Sequence, residues 1–317
     1  MKVFGPVPSR RLGRSLGINN IPPKACTYSC IYCQLGRTLT REVKRRTFYN
    51  PEDIVKEARE KAEKTLKAGE SIDYLTIVPD GEPTLDINLG RMLEMLRPLK
   101  IKIAVITNAS LIWREDVRNE LKKADWVSLK VDSVKEKVWR RINRPHKSLP
   151  FSDILDGMRA FSADYRGELA TETMLVKNIN DDADHIEEVA EFLAQLNTLK
   201  SYIAVPIRPP AEKWIKAPDE ASINLAYQIF SARIQSVEYL TKDEESAFTV
   251  TGNIEEDILS ITAVHPMREE ALRECLLMAK ADWSIIENLL DQKEIVKTDY
   301  KGKKFYLRKI RPEWKPA

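Results

Sequence analysis

Three cysteines within eight residues, Cys26, Cys30 and Cys33 in a C-x3-C-x2-C arrangement, constrain this chain more than any other feature. Three thiolates on one loop leave a position open on a metal centre that takes four ligands. Zinc sites commonly join two such runs, and this chain offers no second pair. Its other cysteine is Cys275, and His146, His185 and His265 lie far from the loop without helically spaced partners. An iron-sulfur cluster with one open iron is the reading that uses all three thiols. On the residues alone, zinc and a chance grouping of thiols stay open as rivals.

Around this loop the sequence alternates strand-like and helix-like stretches, which argues for a parallel sheet. Strands are predicted over 15–21, 74–78, 103–107, 126–131, 169–176 and 202–207. A charged helix is expected from Pro51 to about Lys67, with Asn50 as its cap and Gly69 as its stop. Further helices are expected near 86–97, 113–123, 134–143, 152–164, 184–196 and 219–237. Six strand-helix units make an incomplete relative of the eightfold barrel, whose active site lies at the C-terminal strand ends. The motif residues fall at those ends: Gly81, Glu82 and Pro83 after the second strand, Asn108 after the third, Asp132 and Ser133 after the fourth, and Arg208 after the sixth.

The cysteine spacing with Tyr32 before the last thiol, the Gly81-Glu82-Pro83 turn, Thr107-Asn108 and the stretch 127–133 together resemble the radical S-adenosylmethionine (SAM) enzymes, over roughly residues 10–210. The opening Gly5-Pro6-Val7-Pro8-Ser9-Arg10-Arg11-Leu12-Gly13 is similar to a subgroup related to the wyosine-forming tRNA enzymes. The resemblance implies a partial (β/α)6 TIM-like barrel with a [4Fe-4S] cluster on Cys26, Cys30 and Cys33. It implies S-adenosyl-L-methionine chelating the open iron through its ammonium and carboxylate, and a low-potential electron donor such as a flavodoxin or ferredoxin. One electron would then cleave the sulfonium, and a 5′-deoxyadenosyl radical would abstract hydrogen from the substrate. In that scheme Glu82 and nearby carbonyls accept from the ammonium, while Gly81 lets the chain approach closely. Tyr32 corresponds to the residue whose neighbouring backbone meets adenine. Asn108, Asp132 and Ser133 either bind ribose hydroxyls or cap the following helices. The wyosine-forming relatives carry an additional cysteine set that this chain lacks, so the resemblance points to a branch and names no substrate.

Charge bears on the partner. The net charge is +3, yet residues 1–50 hold ten Lys or Arg against the single acid Glu42, and residues 293–317 hold nine against three. An anionic small molecule or a nucleic acid drawn to those ends competes with plain surface solvation. Lys130, Arg144 and Arg208 are the candidates for gripping a substrate, and Lys130 is also open to a Schiff-base or a structural role. His146 has little behind it as an acid or base. No apolar run approaches 18 residues and no leader is visible, so a cytoplasmic protein without a membrane span is expected.

Past residue 240 the alternation stops. Residues 1–240 read as the catalytic domain, 241–253 as a linker and 254–317 as a winged-helix-like module. The module shows helices near 254–261, 267–279 and 283–292, then two strands around a lysine-rich turn. Asp282 is expected to cap its last helix, and Cys275 to be a buried thiol on an apolar face with Leu272, Leu276 and Ala279. That last helix carries two acids and no base before Lys293, poor equipment for the major groove. Docking or packing against the barrel is therefore favoured over DNA binding. The leading class is a radical enzyme of the oxidoreductase or lyase type; an iron-sulfur sensor that binds DNA without catalysis and a tRNA-modifying enzyme are the alternatives.

Overall fold

The computed structural model describes residues 2–38, 40–240, 253–264 and 266–309. The expected linker, apart from Asn253, lies outside the described residues. In chain order the first part comprises β1 (Val3–Ser9), β2 (Gly13–Ile18), β3 (Ala25–Cys26), β4 (Thr40–Arg41), α1 (Pro51–Lys67), β5 (Tyr74–Ile77), α2 (Leu89–Leu96), β6 (Lys102–Thr107), α3 (Glu115–Leu121) and β7 (Trp126–Lys130). It continues with α4 (Glu136–Asn143), α5 (Phe151–Asp164), β8 (Glu168–Met174), α6 (Ala183–Ala194), β9 (Lys200–Ala204), α7 (Glu220–Ser231) and β10 (Val237–Leu240). Local signals set the first helix as expected: Asn50 Oδ1 accepts the Glu52 N–H at 3.3 Å, and Gly69 leaves it at φ +81°.

The main sheet runs β1-β2-β5-β6-β7-β8-β9-β10. Only the β1–β2 pair is antiparallel. Because β1 and β10 are its two edges, the sheet curls into a half-barrel without closing. The six expected parallel strands are present, and two more join them. β10 begins at the residue expected to end the last barrel helix, since α7 stops earlier, at Ser231, and a short edge strand follows. β1 escapes a periodicity reading because Gly5, Pro6 and Pro8 interrupt it, which only an edge strand tolerates.

Alternation along the strands separates two faces. Leu75, Val105, Val127, Leu129 and Ile203 point outward and share a core with helical residues such as Ile54, Leu93, Phe161 and Phe230. Each such side chain contributes about 1.5–3 kcal/mol on burial. The inner face instead gathers Leu12, Ala104, Trp126, Ala170, Tyr202 and Leu240, with no helix packed on it among the described residues. Polar groups above that apolar plug therefore face an interior space.

The second part comprises α8 (Ile254–Val264), β11 (Met267–Arg268), α9 (Glu269–Met278), α10 (Ser284–Asp291), β12 (Ile295–Tyr300) and β13 (Lys303–Arg308). Its antiparallel sheet, ordered β11-β13-β12, covers a separate core of Ile258, Leu272, Cys275, Ile286, Leu289 and Tyr306. Asp282 Oδ1 accepts the Ser284 N–H at 2.8 Å, as its position predicts. This part grips the barrel twice. Val7 of β1 joins its core, and Tyr300 Oη and Lys301 Nζ both donate to the Pro206 carbonyl, at 3.1 and 3.2 Å. Among the described residues, no helix is long and apolar enough to cross a membrane.

Candidate active site

The cysteine loop is held between two neighbours. On one side Lys24 N–H donates to the Asp80 carbonyl (2.8 Å), and Glu82 N–H donates to the Ala25 carbonyl (3.1 Å). A Cβ at position 81 would fall 1.8 Å from the Ala25 oxygen, so glycine is what lets loop and turn meet. On the other side Ser29 and Ile31 donate to the Asn143 and Ile142 carbonyls at 3.0 Å each, where α4 ends.

Held in this way, Cys26, Cys30 and Cys33 line one cavity of about 320 Å³ at the C-terminal ends of the strands. Tyr28 N–H and Asn108 Nδ2 donate to Cys26 Sγ at 3.5 Å, and Asn143 Nδ2 donates to Cys30 Sγ at 3.5 Å. Burial pushes the Cys26 thiol well above its ordinary pKa and the Cys30 thiol up to about 12. A bound cationic centre opposes that trend, because it favours the thiolate. Among the described residues, no three His, Cys, Asp or Glu side chains converge on a single-ion site. The thiols instead face a shared space.

Two carboxylates on the adjoining turn divide the work. Glu82 is wholly buried; its Oε1 accepts from Thr84 N (3.1 Å), Thr84 Oγ1 (2.6 Å) and Thr107 Oγ1 (2.6 Å), and its Oε2 from Asn108 N (2.7 Å). It does not line the cavity, and its bonds to Thr107 and Asn108 tie the turn after β5 to the end of β6. Pro83 is likewise buried beside it, and its carbonyl accepts from Asn20. Of these two acids, Asp80 is the one that lines the cavity. Burial raises its pKa to about 7, against the pull of the Lys24 charge. Among the described residues, Asp80 Oδ1 and Lys24 Nζ are buried without a hydrogen-bond partner, although Lys24 is only 7% exposed. Sequence reasoning missed both, and the signals were the lysine two residues before Cys26 and the aspartate opening the turn.

The remaining expected residues separate in the same manner. Tyr32 lines the cavity, with its hydroxyl donating to Asp132 and accepting from Asn143 Nδ2 (3.1 Å). Asp132 does not line it: Oδ1 accepts from Met174 N (2.8 Å) and Oδ2 from Asn143 Nδ2 (2.7 Å) as well as Tyr32. Ser133 closes a local turn onto Lys135. Asp132 fixes the Tyr32 ring. Asn108 lines the cavity while its side chain bonds Thr27 Oγ1 (2.8 Å) and Ser110 N (2.9 Å), bracing the cysteine loop.

Of the basic candidates, Lys130 and Arg208 line the cavity and Arg144 does not. Arg144 pairs with Glu212 at 2.5 Å, while Arg208 Nη1 donates to Gln34 Oε1 at 2.8 Å. Lys130 donates to Glu172 and stands 4.9 Å from the Tyr32 ring centroid. Burial opposes its charge, but Glu172 and Asp132 outweigh burial and raise its pKa. His146 is tied to Ser148 outside the cavity. Sequence reasoning also missed Arg11 and Glu172, which line the cavity and pair with each other from positions far apart in the chain.

The orphaned amine and carboxyl, three thiols and a glycine that admits backbone all share one wall, a donor set suited to a cluster and a ligand carrying both an ammonium and a carboxylate. Comparison with known proteins agrees. A family model described as the radical SAM superfamily matches residues 20–193. A UPF0026 protein of Methanocaldococcus jannaschii is 52% identical over 97% of this chain and 96% of its own length. The structure of SuiB from Streptococcus suis bound to S-adenosylmethionine superposes with a TM-score of 0.52 at 17% identity, covering 70% of this chain and 49% of that one. A structure of TYW1 with a lysine-pyruvate adduct bound gives 0.50 at 18% identity, covering 70% and 75%. These last two likenesses concern the fold.

Proposed function

This chain belongs to the radical SAM superfamily, and from that premise we propose that it reductively cleaves S-adenosyl-L-methionine at a [4Fe-4S] cluster and takes hydrogen from a substrate inside the barrel. The observation that carries this reading is the cavity wall on which Cys26, Cys30 and Cys33 meet the unpartnered Lys24 and Asp80. The three thiols would hold the cluster, Lys24 a carboxylate, and Asp80 with the Gly81 backbone an ammonium. When bound, cluster and cofactor supply one-electron cleavage of the sulfonium C–S bond and a 5′-deoxyadenosyl radical.

The chain's own residues do the positioning. Glu82 and Asn108 fix the cysteine loop against β5 and β6, and Asp132 with Asn143 orients Tyr32. Ile106, Met174, Val205, Ile207 and Leu240 give the cavity apolar walls that exclude water from reactive species. Arg208 is assigned to the substrate side, while the ion pair to Glu212 takes Arg144 out of that role. The lysine-pyruvate adduct of the fold neighbour is not carried over, since the Lys130 amine is engaged by Glu172.

Residues 1–240 form the catalytic domain in this reading, 241–253 its linker and 254–317 a winged-helix-like module. The order helix-strand-helix-helix-hairpin supports the winged-helix assignment. Its hairpin turn rests on Pro206, and α10 carries Glu287 and Asp291, which favours service to the barrel over nucleic-acid binding. A low-potential donor, a flavodoxin or ferredoxin, would supply the electron in a reducing cytosol.

The test is 5′-deoxyadenosine formation by anaerobically reconstituted protein with dithionite and S-adenosylmethionine. Wild type forms it and the triple Cys26→Ala, Cys30→Ala, Cys33→Ala variant forms none. Product from the triple variant, or none from wild type with its cluster verified spectroscopically, would overturn the assignment.

A further inference from the structure

On the concave face of the sheet, below the cysteine loop, stands a charged group that neither the cluster ligands nor the Asp80 turn uses. Glu172 on β8 is the register partner of Lys130 on β7. Its Oε1 accepts from Lys130 Nζ, and its Oε2 accepts from Arg11 Nη1, which reaches in from the β1–β2 turn. Leu12, the residue after Arg11, belongs to the apolar plug with Trp126, Ala170 and Tyr202, so the three charges rest on a dry floor. All three line the cavity, and their side chains are 13–20% exposed.

One carboxylate between two cations does not balance. Buried ion assemblies are costly unless charge and hydrogen bonds are both satisfied. Asp132, the other acid that acts on Lys130, is turned toward Tyr32, Asn143 and the Met174 amide. Arg11 and Lys130 each retain N–H donors beyond the one given to Glu172. Across the whole cavity, the described lining holds five basic side chains, Arg10, Arg11, Lys24, Lys130 and Arg208, against the two acids Asp80 and Glu172. Glu172 and Asp132 raise the pKa of Lys130 against its burial, and Lys130 and Arg11 pull Glu172 down to about 2 despite its burial.

We propose that Arg11 and Lys130 anchor the substrate by an anionic oxygen group, a carboxylate or a phosphate, and that Glu172 is the positioning residue that holds the two cations at a fixed spacing. The proposal rests on the barrel cavity being the substrate chamber. The substrate class is thus a small acid or phosphorylated compound whose anionic end lies on the floor, while its reacting carbon lies toward the cysteine loop. A cationic or neutral apolar compound would find no partner for these donors.

The probes are inorganic phosphate and malonate, titrated by calorimetry into the anaerobic holoenzyme at constant ionic strength. Saturable binding of either is expected; phosphate alone points to a phosphorylated substrate, malonate alone to a carboxylate, and both to the shared chemistry. Arg11→Gln and Lys130→Gln should each weaken it about tenfold or more, as loss of a charge-assisted hydrogen bond does. Glu172→Gln, which removes the competing carboxylate and leaves both cations, should bind at least as tightly as wild type. Parallel losses in all three variants would mean the group is structural scaffolding, and the anchor would be withdrawn. Wild type that binds neither anion, or binding that survives Arg11→Gln with Lys130→Gln, would also overturn it. Cys30→Ala protein should still bind the anion, which keeps this outcome distinct from that of the cofactor-cleavage test.

Discussion

The half-barrel and the module that follows it each bury an apolar core, but they treat their interior polar groups differently. In the module, Ser260 and Thr262 turn their hydroxyls back onto carbonyls of their own helix, and Tyr306 Oη reaches Glu269 at the surface. In the barrel, Lys24 and Asp80 are buried with polar atoms left over, and Arg11 and Lys130 share a single carboxylate. Both regions belong to one chain under the same requirement that buried polar atoms be satisfied. Among the described residues the module meets it from within, while the barrel leaves part of it unmet at the cavity wall. The difference also separates the chain's cysteines, three on the cavity wall and Cys275 in the module core.

The contrast breaks most visibly at Glu82, a barrel acid that is satisfied from within. Replacing it by alanine strands the donors of Thr84, Thr107 and Asn108, and should cost roughly 3–5 kcal/mol in denaturant unfolding together with loss of bound iron. Unchanged stability would mean that water replaces the carboxylate and that Glu82 is no keystone.

Asp80 should behave in the opposite sense. Its folded pKa of about 7 lies above the ordinary 3.8, so the stability it contributes is present below pH 4 and is lost as pH rises through 7. In cofactor-free protein Asp80→Asn should therefore be the more stable form at pH 8, by up to roughly 4 kcal/mol, with the gap closing toward pH 4. Thermal melts across that range would show it, and a gap that fails to widen with pH would contradict the burial argument.

The smallest effect is expected in the module. Cys275→Ala should cost about 1–2 kcal/mol for lost packing while leaving the iron content per chain unchanged. A fall in iron would place this thiol in the cluster's service and erase the distinction between the two regions.

Much of this was legible in the residues. The six inner strands, the Asn50 and Asp282 caps and the Gly69 stop follow from local signals that act within a few residues. The spacing of Cys26, Cys30 and Cys33 made them one group before any fold was known, because loop closure over so few residues allows little else. The turn at 80–83 was legible as a site, but not which acid served it. Neighbouring side chains on a turn diverge, so Glu82 found four donors in the protein while Asp80 faced the cavity.

By itself, then, the sequence determined the alternating frame, the grouping of three thiols on one loop and the strand ends at which chemistry could gather, all of them short-range consequences of period, spacing and turn chemistry. The tertiary structure alone decided that Asp132 would orient Tyr32, that Arg144 would belong to Glu212, and that Arg11 would meet Glu172 across 161 residues. Those outcomes depend on where curling of the sheet brings distant strands together, and neither periodicity nor spacing carries that information.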